Sequence, residues 1–379
     1  MHYSAQQISG QDGKGGYVLA VVVKSTYHIL ETGICVKDDA PPSLNSDLLF
    51  YPGSIDLLDE DIDLLHTKLY TDVVVKGNAH INYLVPRFPI EVQIGNYRTS
   101  ILAIGPRKAY LNLHGNIAFT EPEMIKEVPL RYDYAYGGRD SVAEAKLPPP
   151  PEEYTKHLPP DVDLYAGSPY RYPRNPSGKG YLVEMNHSAL EQMELPNLED
   201  PDDLLSPSRL VVGQPENWES MPLPRCTDWI NPTWFPRIAY TGLPYPTVKS
   251  TKDLAELTRK WVEPNIFDIK PMTGMFHFRA ANGASLGFQL PYLQVGTKCQ
   301  LINIHPIYPK FSFNLPSDIP SIWVDGRQGK LKETSPVIQS VIINLDQSRL
   351  SIVWRGSAPA IRPYFEEELK TMPFKVQWN

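Results

Sequence analysis

Thirty-eight prolines in 379 residues set the first limit on what this chain can fold into. Proline fixes φ and removes a backbone donor, so it disfavours helix interiors and, in sheets, keeps to edges, strand starts and bulges. At about twice the ordinary frequency of ~5%, it predicts short strands joined by much irregular chain. The prolines are also unevenly spread. Residues 148–151 are four in a row, and Pro159, Pro160, Pro169, Pro173 and Pro176 follow. Such runs favour extended polyproline II geometry, which predicts a long loop over 146–180. Loops of that length within a compact domain are uncommon and often functional.

On either side of this loop the texture is β. Residues 17–27 are rich in β-branched side chains and almost continuously apolar, which predicts a strand buried on both faces. Residues 71–83 repeat the signal. Residues 90–94 and 97–104, joined by Gly95-Asn96, predict a hairpin, since Gly and Asn accept the positive φ of a two-residue turn. A short strand is expected at 110–113. After residue 298 the signals return at 299–305, 311–315 and 322–324, then as a second hairpin, 337–344 with 349–354. Helices are expected at 187–193, at 250–261 and, as a closing helix, at 363–371. The fold class expected is mainly β, with sandwich- or barrel-like antiparallel sheets, a few short helices and the long proline-rich middle loop. The parts are residues 1–140 (β-rich), 141–265 (irregular) and 266–379 (β-rich). The two β parts form either one sheet system or two domains.

Charge narrows the partners. The formal net charge is −7 and no run of four Lys or Arg occurs. Nucleic acids and anionic membranes call for a basic footprint, so the expected partner is a protein or a small molecule. The three cysteines, Cys35, Cys226 and Cys299, are far apart and read as small buried hydrophobes, with neither disulfide nor zinc spacing. The first residues have no basic start and no apolar h-region, and the apolar run at 17–23 is too short to span a bilayer. These features predict a cytoplasmic protein.

No catalytic pattern emerges from the sequence. The nucleotide-binding glycine motifs, Gly-x-Ser-x-Gly and His-Glu-x-x-His are all missing. Asn175-Pro176-Ser177-Gly178-Lys179-Gly180 resembles a phosphate loop but lacks the following helix, and reads as a tight turn needing glycine torsions. Asp56, Asp59, Glu60, Asp61 and Asp63 lack the glycine and bidentate spacing of a calcium loop, and read as a solvated acidic face. Lys24 and Asp72 could form a buried ion pair, although strand-end positions facing solvent are the simpler reading. No cofactor or metal is expected.

Seven short strings do carry information: Val-Val-Val-Lys-Ser-Thr-Tyr at 21–27; Lys68 with Thr-Asp-Val-Val-Val-Lys-Gly at 71–77; Val-Pro-Leu-Arg-Tyr at 128–132 leading to Ala-Tyr-Gly-Gly at 135–138; Asn175-Pro176 with Gly178 and Gly180; Leu-Pro-Asn-Leu-Glu-Asp-Pro at 195–201; Trp-Phe-Pro-Arg at 234–237; and Phe-Asn-Leu-Pro at 313–316. In this order the chain resembles the DUF2169 family. The resemblance implies a bacterial, non-enzymatic adaptor or chaperone of type VI secretion. Such a protein would bind an effector toxin, assist its loading onto the VgrG-type spike and contact the effector, the spike protein or both. Two other classes stay open: a hydrolase acting on glycan or peptide in the proline-rich cleft, or a structural part of the secretion apparatus.

Within the strings, Tyr132, Tyr134 and Tyr136 are either core side chains or aromatic anchors for a partner. Gly137 and Gly138 form either an internal turn or a lip that another chain approaches, with Arg139 beside it to pair with a partner carboxylate. Asn175, Gly178 and Gly180 belong to the tight turn, and Asn197 and Glu199 can satisfy backbone groups of the irregular middle. Trp234 and Arg237 are read as core packing or as a binding hot spot. If the lip is a contact, replacing Tyr136 and Arg139 weakens partner binding and leaves the fold intact.

Overall fold

The structure is a computed structural model that describes residues 2–12, 15–150, 152, 156, 165, 167–241, 278–326 and 329–378. It is mainly β, with several sheets, none closed into a barrel, and a few short helices. The expected helix at 250–261 lies outside the described residues.

The largest sheet has seven strands. In spatial order they are Tyr3–Gln11, Tyr17–Ile29, Arg349–Pro359, Val337–Asn344, Thr71–Lys76 and Gln289–Leu290, with Cys35–Lys37 paired onto the end of the second. The two β-rich ends of the chain therefore share one sheet. The hairpin of Val337–Asn344 and Arg349–Pro359 docks between strands from the amino-terminal part, against Thr71–Lys76 in parallel and Tyr17–Ile29 antiparallel. A second sheet mixes the ends as well: Leu198–Glu199, Tyr97–Ile104, Arg87–Ile94, Lys298–Ile302 and Lys310–Asn314. Val21, Val23, Val73, Val75, Ile343 and Ile352 from the first sheet and Ile90, Val92, Ile101 and Leu301 from the second meet in one apolar core.

Several expectations change. Residues 71–83 are not one strand: Gly77, at φ +104°, ends Thr71–Lys76 and turns the chain into Asn78–Val85, which pairs with Ile125–Pro129 in a separate sheet. The closing helix shrinks to Glu366–Leu369, and the chain then forms an edge strand, Phe374–Trp378, against Pro320–Val324. Cys226 and Cys299 are buried, whereas Cys35 is half-buried.

The largest change is in the middle. A second apolar core sits there, built on Tyr136, Tyr172, Tyr181, Leu195, Trp218 and Phe235. The later part of the proline-rich stretch, from Arg171 to Asn175, is buried within it rather than looping over the surface. Aromatic rings meet there at offset angles: Tyr136 lies edge-on to Tyr172 at 5.1 Å, and Trp218 to Phe235 at 5.3 Å. Such pairs add to plain area burial, which suits a region too rich in proline for regular strands. Trp234 and Phe235 join the two cores. Trp234 packs edge-on to Tyr132 in the first, while its neighbour Phe235 sits in the second.

Candidate functional site

One face of the seven-stranded sheet is the apolar core. The other is polar, because side chains alternate along a strand. The register aligns Lys24, Val353, Ser340 and Asp72 in one row, and His28, Arg349, Asn344 and Lys76 four residues further on. Lys24 and Asp72 thus face neither solvent nor each other. Each is buried with its own partner: Lys24 Nζ lies 2.8 Å from Asp63, and Lys68 Nζ 2.7 Å from Asp72.

The acidic stretch is the strap that covers this face, and it is only partly solvated. Asp61 and Asp63 are buried, paired with Arg237 at 2.8 Å and with Lys24. Burial pushes the Asp63 carboxyl up, against the pull of Lys24 and the Asn45 N–H. Among the described residues no three His, Cys, Asp or Glu side chains gather as a metal site.

Between strap and sheet opens a cleft of about 800 Å³, with Lys24, Thr26, Lys76, Asn344 and Arg349 on its floor and Tyr51, Asp59 and Glu60 on the strap side. Pro129 also lines a second cleft of about 520 Å³, and Lys179 and Glu194 line both that one and a third of about 280 Å³. A row of alternating cations and aromatic rings follows this line. Lys76 and Arg131 lie over Tyr51 at 5.1 and 5.0 Å, and Arg131 and Lys179 lie over Tyr134 at 5.8 and 4.8 Å. All five side chains are half-buried. Each cation also has a carboxylate: Asp59 for Lys76, Asp133 for Arg131 and Glu194 for Lys179. The ladder is held in place and is close to neutral.

Behind Tyr51 stands Asp228, buried, accepting the phenol at 2.7 Å and the Trp229 N–H at 2.9 Å. Burial lifts its carboxyl to about 6, against the pull of Lys76 and the Tyr51 bond. That value lies above the ~3.9 of a free carboxyl, so protonation favours the folded state. The contribution is fully present below about pH 4 and is lost as pH rises through about 6. Asp228→Asn is therefore expected to stabilise the protein by about 2–3 kcal/mol at pH 7.5 and not at pH 4. Thermal unfolding at the two pH values measures this, and a pH-independent difference would refute it.

The strings at 135–138 and 175–180 come together at the third cleft, and most string residues act as scaffold. Asn175 Nδ2 donates to the carbonyls of Tyr132 and Tyr136 at 2.8 and 3.0 Å, and the Gly138 N–H donates to the Asn175 carbonyl at 2.8 Å. Tyr136–Gly137 pairs in parallel with Lys179–Gly180. A Cβ on Gly178 would stand 2.6 Å from the Ala135 carbonyl oxygen, so the turn needs glycine there. Asn197 donates to Ile104 and accepts from Lys179. Glu199 holds Arg107 and the Leu205 N–H. Arg237 donates to the carbonyls of Ala280 and Ile230 besides pairing with Asp61.

Tyr132, Tyr136, Gly137, Gly138, Asn175, Gly180, Asn197, Glu199, Trp234 and Arg237 are all buried, although Gly137, Gly138 and Gly180 line the third cleft and Asn197 the second. Tyr136 is completely buried, and its replacement would empty the second core rather than test a contact. Arg139 is exposed, and Tyr134 and Gly178 are half-buried; these three line the second and third clefts. Tyr51 and Asp228 were not foreseen, since no local pattern marks a strap tyrosine that meets a carboxylate 177 residues away.

A family model described as an uncharacterized protein conserved in bacteria, DUF2169, matches residues 14–355. The chain belongs to this family. The DUF2169 match contains all three clefts and every string; among the described elements, Tyr3–Gln11, Phe374–Trp378, the helix Glu366–Leu369 and the last four residues of Arg349–Pro359 fall outside it. No curated protein and no solved structure matches the chain. Among the described residues, no helix is long and apolar enough to cross a membrane.

Proposed function

We propose that this protein is an adaptor or chaperone that binds a type VI secretion effector and assists its loading onto the VgrG-type spike. The observation that carries the reading is the line of three adjacent clefts with the cation–aromatic ladder along it. Small-molecule sites are concave, mostly apolar and bury most of their ligand. A long, open line of mixed polarity suits an extended polypeptide instead, with tyrosine and arginine as the side chains that most often dominate binding energy. The resemblance of the seven strings to a secretion-associated family supplies the effector and the spike as the partners.

Co-expression with each protein encoded beside it, followed by affinity purification and size-exclusion chromatography, tests the reading. A stoichiometric complex with a toxin-like or spike-like neighbour supports it, and elution alone with every neighbour overturns it. Arg139→Ala adds a site-level prediction. This side chain stands at the end of the line and makes one long contact, 3.7 Å to a Glu144 already held by Arg171. Its loss is expected to weaken the complex several-fold with an unchanged melting temperature. Undiminished affinity would take the third cleft out of the binding surface.

A further inference from the structure

The middle cleft carries a pattern that the adaptor reading does not use. From Thr120 to Pro129 one wall runs without a turn, ending in the strand Ile125–Pro129, and the alternate residues Glu121, Glu123, Ile125 and Glu127 all line the cleft. In extended chain, residues two apart face the same way at a repeat of roughly 6.6 Å. The wall therefore presents carboxylate, carboxylate, apolar group, carboxylate at about that repeat, with all three glutamates exposed, while its pairing with Asn78–Val85 shifts register between Ile125 and Glu127.

Little on the opposite wall balances them. Arg107 is engaged by Glu199, which lies behind the wall, and Lys179 is engaged by Glu194 at 2.7 Å. Lys108 remains, and it also draws down the Glu194 carboxyl. His80 stands 3.7 Å from Glu127. A second observation points to a polypeptide. Arg107 lines the cleft with a side chain only 10% exposed, and its Nε–H is buried without an acceptor. Buried donors are nearly always satisfied, and a small shift of the Arg107 side chain toward the cleft would present this one to the backbone carbonyl of an extended ligand.

We infer that the middle cleft binds an extended basic segment of a partner protein, with Lys or Arg at two-residue spacing opposite Glu121, Glu123 and Glu127 and an apolar side chain opposite Ile125. This rests on the adaptor reading and names the chemistry of the segment it takes. Strand-like ligands read by pockets at alternate positions are a recurrent mode of peptide recognition. The repeat of the wall makes register, and not charge alone, the recognised quantity.

The probe is a fluorescein-labelled peptide, Lys-Ser-Lys-Ser-Leu-Ser-Lys, blocked at the carboxyl end, titrated by anisotropy with the full chain. A second peptide of equal composition has its three lysines adjacent. The protein variant is Glu121→Gln/Glu123→Gln/Glu127→Gln, which keeps side-chain size at exposed positions, with its fold checked by melting temperature. Three exposed pairs, each of modest strength, together amount to about tenfold in affinity. The expected result is that the alternating peptide binds about tenfold tighter than the clustered one, and that the triple variant loses about tenfold for the alternating peptide. Equal binding of the two peptides, or an unchanged affinity of the variant, overturns the inference. Partner capture then separates the two readings. If the triple variant retains a neighbour-encoded partner at wild-type affinity, the basic-segment inference falls and the adaptor stands. If the wild-type chain captures no partner, the adaptor itself falls.

Discussion

Asp72→Ala should lower the unfolding free energy by about 3–5 kcal/mol, the usual cost of removing one partner from a buried ion pair. Asp72 is fully buried. Its carboxylate accepts Lys68 Nζ at 2.7 Å, Asn282 Nδ2 at 3.0 Å and the N–H groups of Gly283 and Ala284 at 3.0 and 3.3 Å. Alanine would leave the Lys68 ammonium, 1% exposed, with the Ser340 hydroxyl at 3.0 Å, the face of Trp229 at 5.1 Å and the more distant Asp63 carboxylate, which is already held by Lys24. A hydroxyl and a ring face cannot replace a full countercharge in a low-dielectric interior. Urea unfolding of the single variant measures the loss. Replacing both partners, Lys68→Met with Asp72→Leu, should recover most of it, because a well-packed apolar pair often matches a buried ionic one. A double variant as damaged as the single would show that the bonds to residues 282–284, and not the stranded charge, carry the cost.

Gly137→Ala is the second large effect, expected at about 3–4 kcal/mol from two sources. At φ +148° the residue occupies a region that side chains rarely enter, a strain of about 1–3 kcal/mol. A Cβ would also lie 2.1 Å from the Asn175 carbonyl oxygen and 2.9 Å from Asn175 Cβ. That oxygen belongs to backbone already fixed by the Gly138 N–H, so it cannot swing aside, and overpacking adds about 1–3 kcal/mol. Gly115→Ala separates the two terms. Gly115 also has a positive φ, +75°, with nothing within 4 Å of the added Cβ, so only torsional strain of about 1 kcal/mol remains. Denaturation midpoints that fall equally for both variants would mean that the close approach to Asn175 is relaxed at little cost.

What the sequence revealed and what it hid divide along physical lines. The strand Tyr17–Ile29 and both hairpins were legible, because β-branched runs and Gly-Asn turns act over a few residues. Gly77 within a continuous β pattern was a weaker sign: it marks the place where one apparent strand becomes two in different sheets. The second core was hidden because its aromatic side chains follow neither a helical nor a strand period. Proline density there was a correct sign of irregular backbone but not of exposure. Among the site residues, the glycines and Asn175 were singled out for close backbone approach, and the structure shows that approach to be internal. The Lys76–Tyr51–Arg131–Tyr134–Lys179 row could not be read, since it is assembled from four distant stretches by the tertiary packing of separate sheets and loops.

The sheet order also has a consequence for how the protein is made. Val23 lies opposite Trp354, so the inner strand Tyr17–Ile29 meets its neighbour Arg349–Pro359 only after about 330 further residues have been made. At bacterial synthesis rates that interval is roughly 20–70 s. Throughout it, Val21, Val22 and Val23, all wholly buried in the finished protein, lack the strand Arg349–Pro359 that covers one edge of theirs. The antiparallel partner Tyr3–Gln11 is available from the start and can shield the other edge. An early hairpin of Tyr3–Gln11 and Tyr17–Ile29 would thus hold the nascent chain in a pairing-competent form until the hairpin of Val337–Asn344 and Arg349–Pro359 arrives to close the sheet.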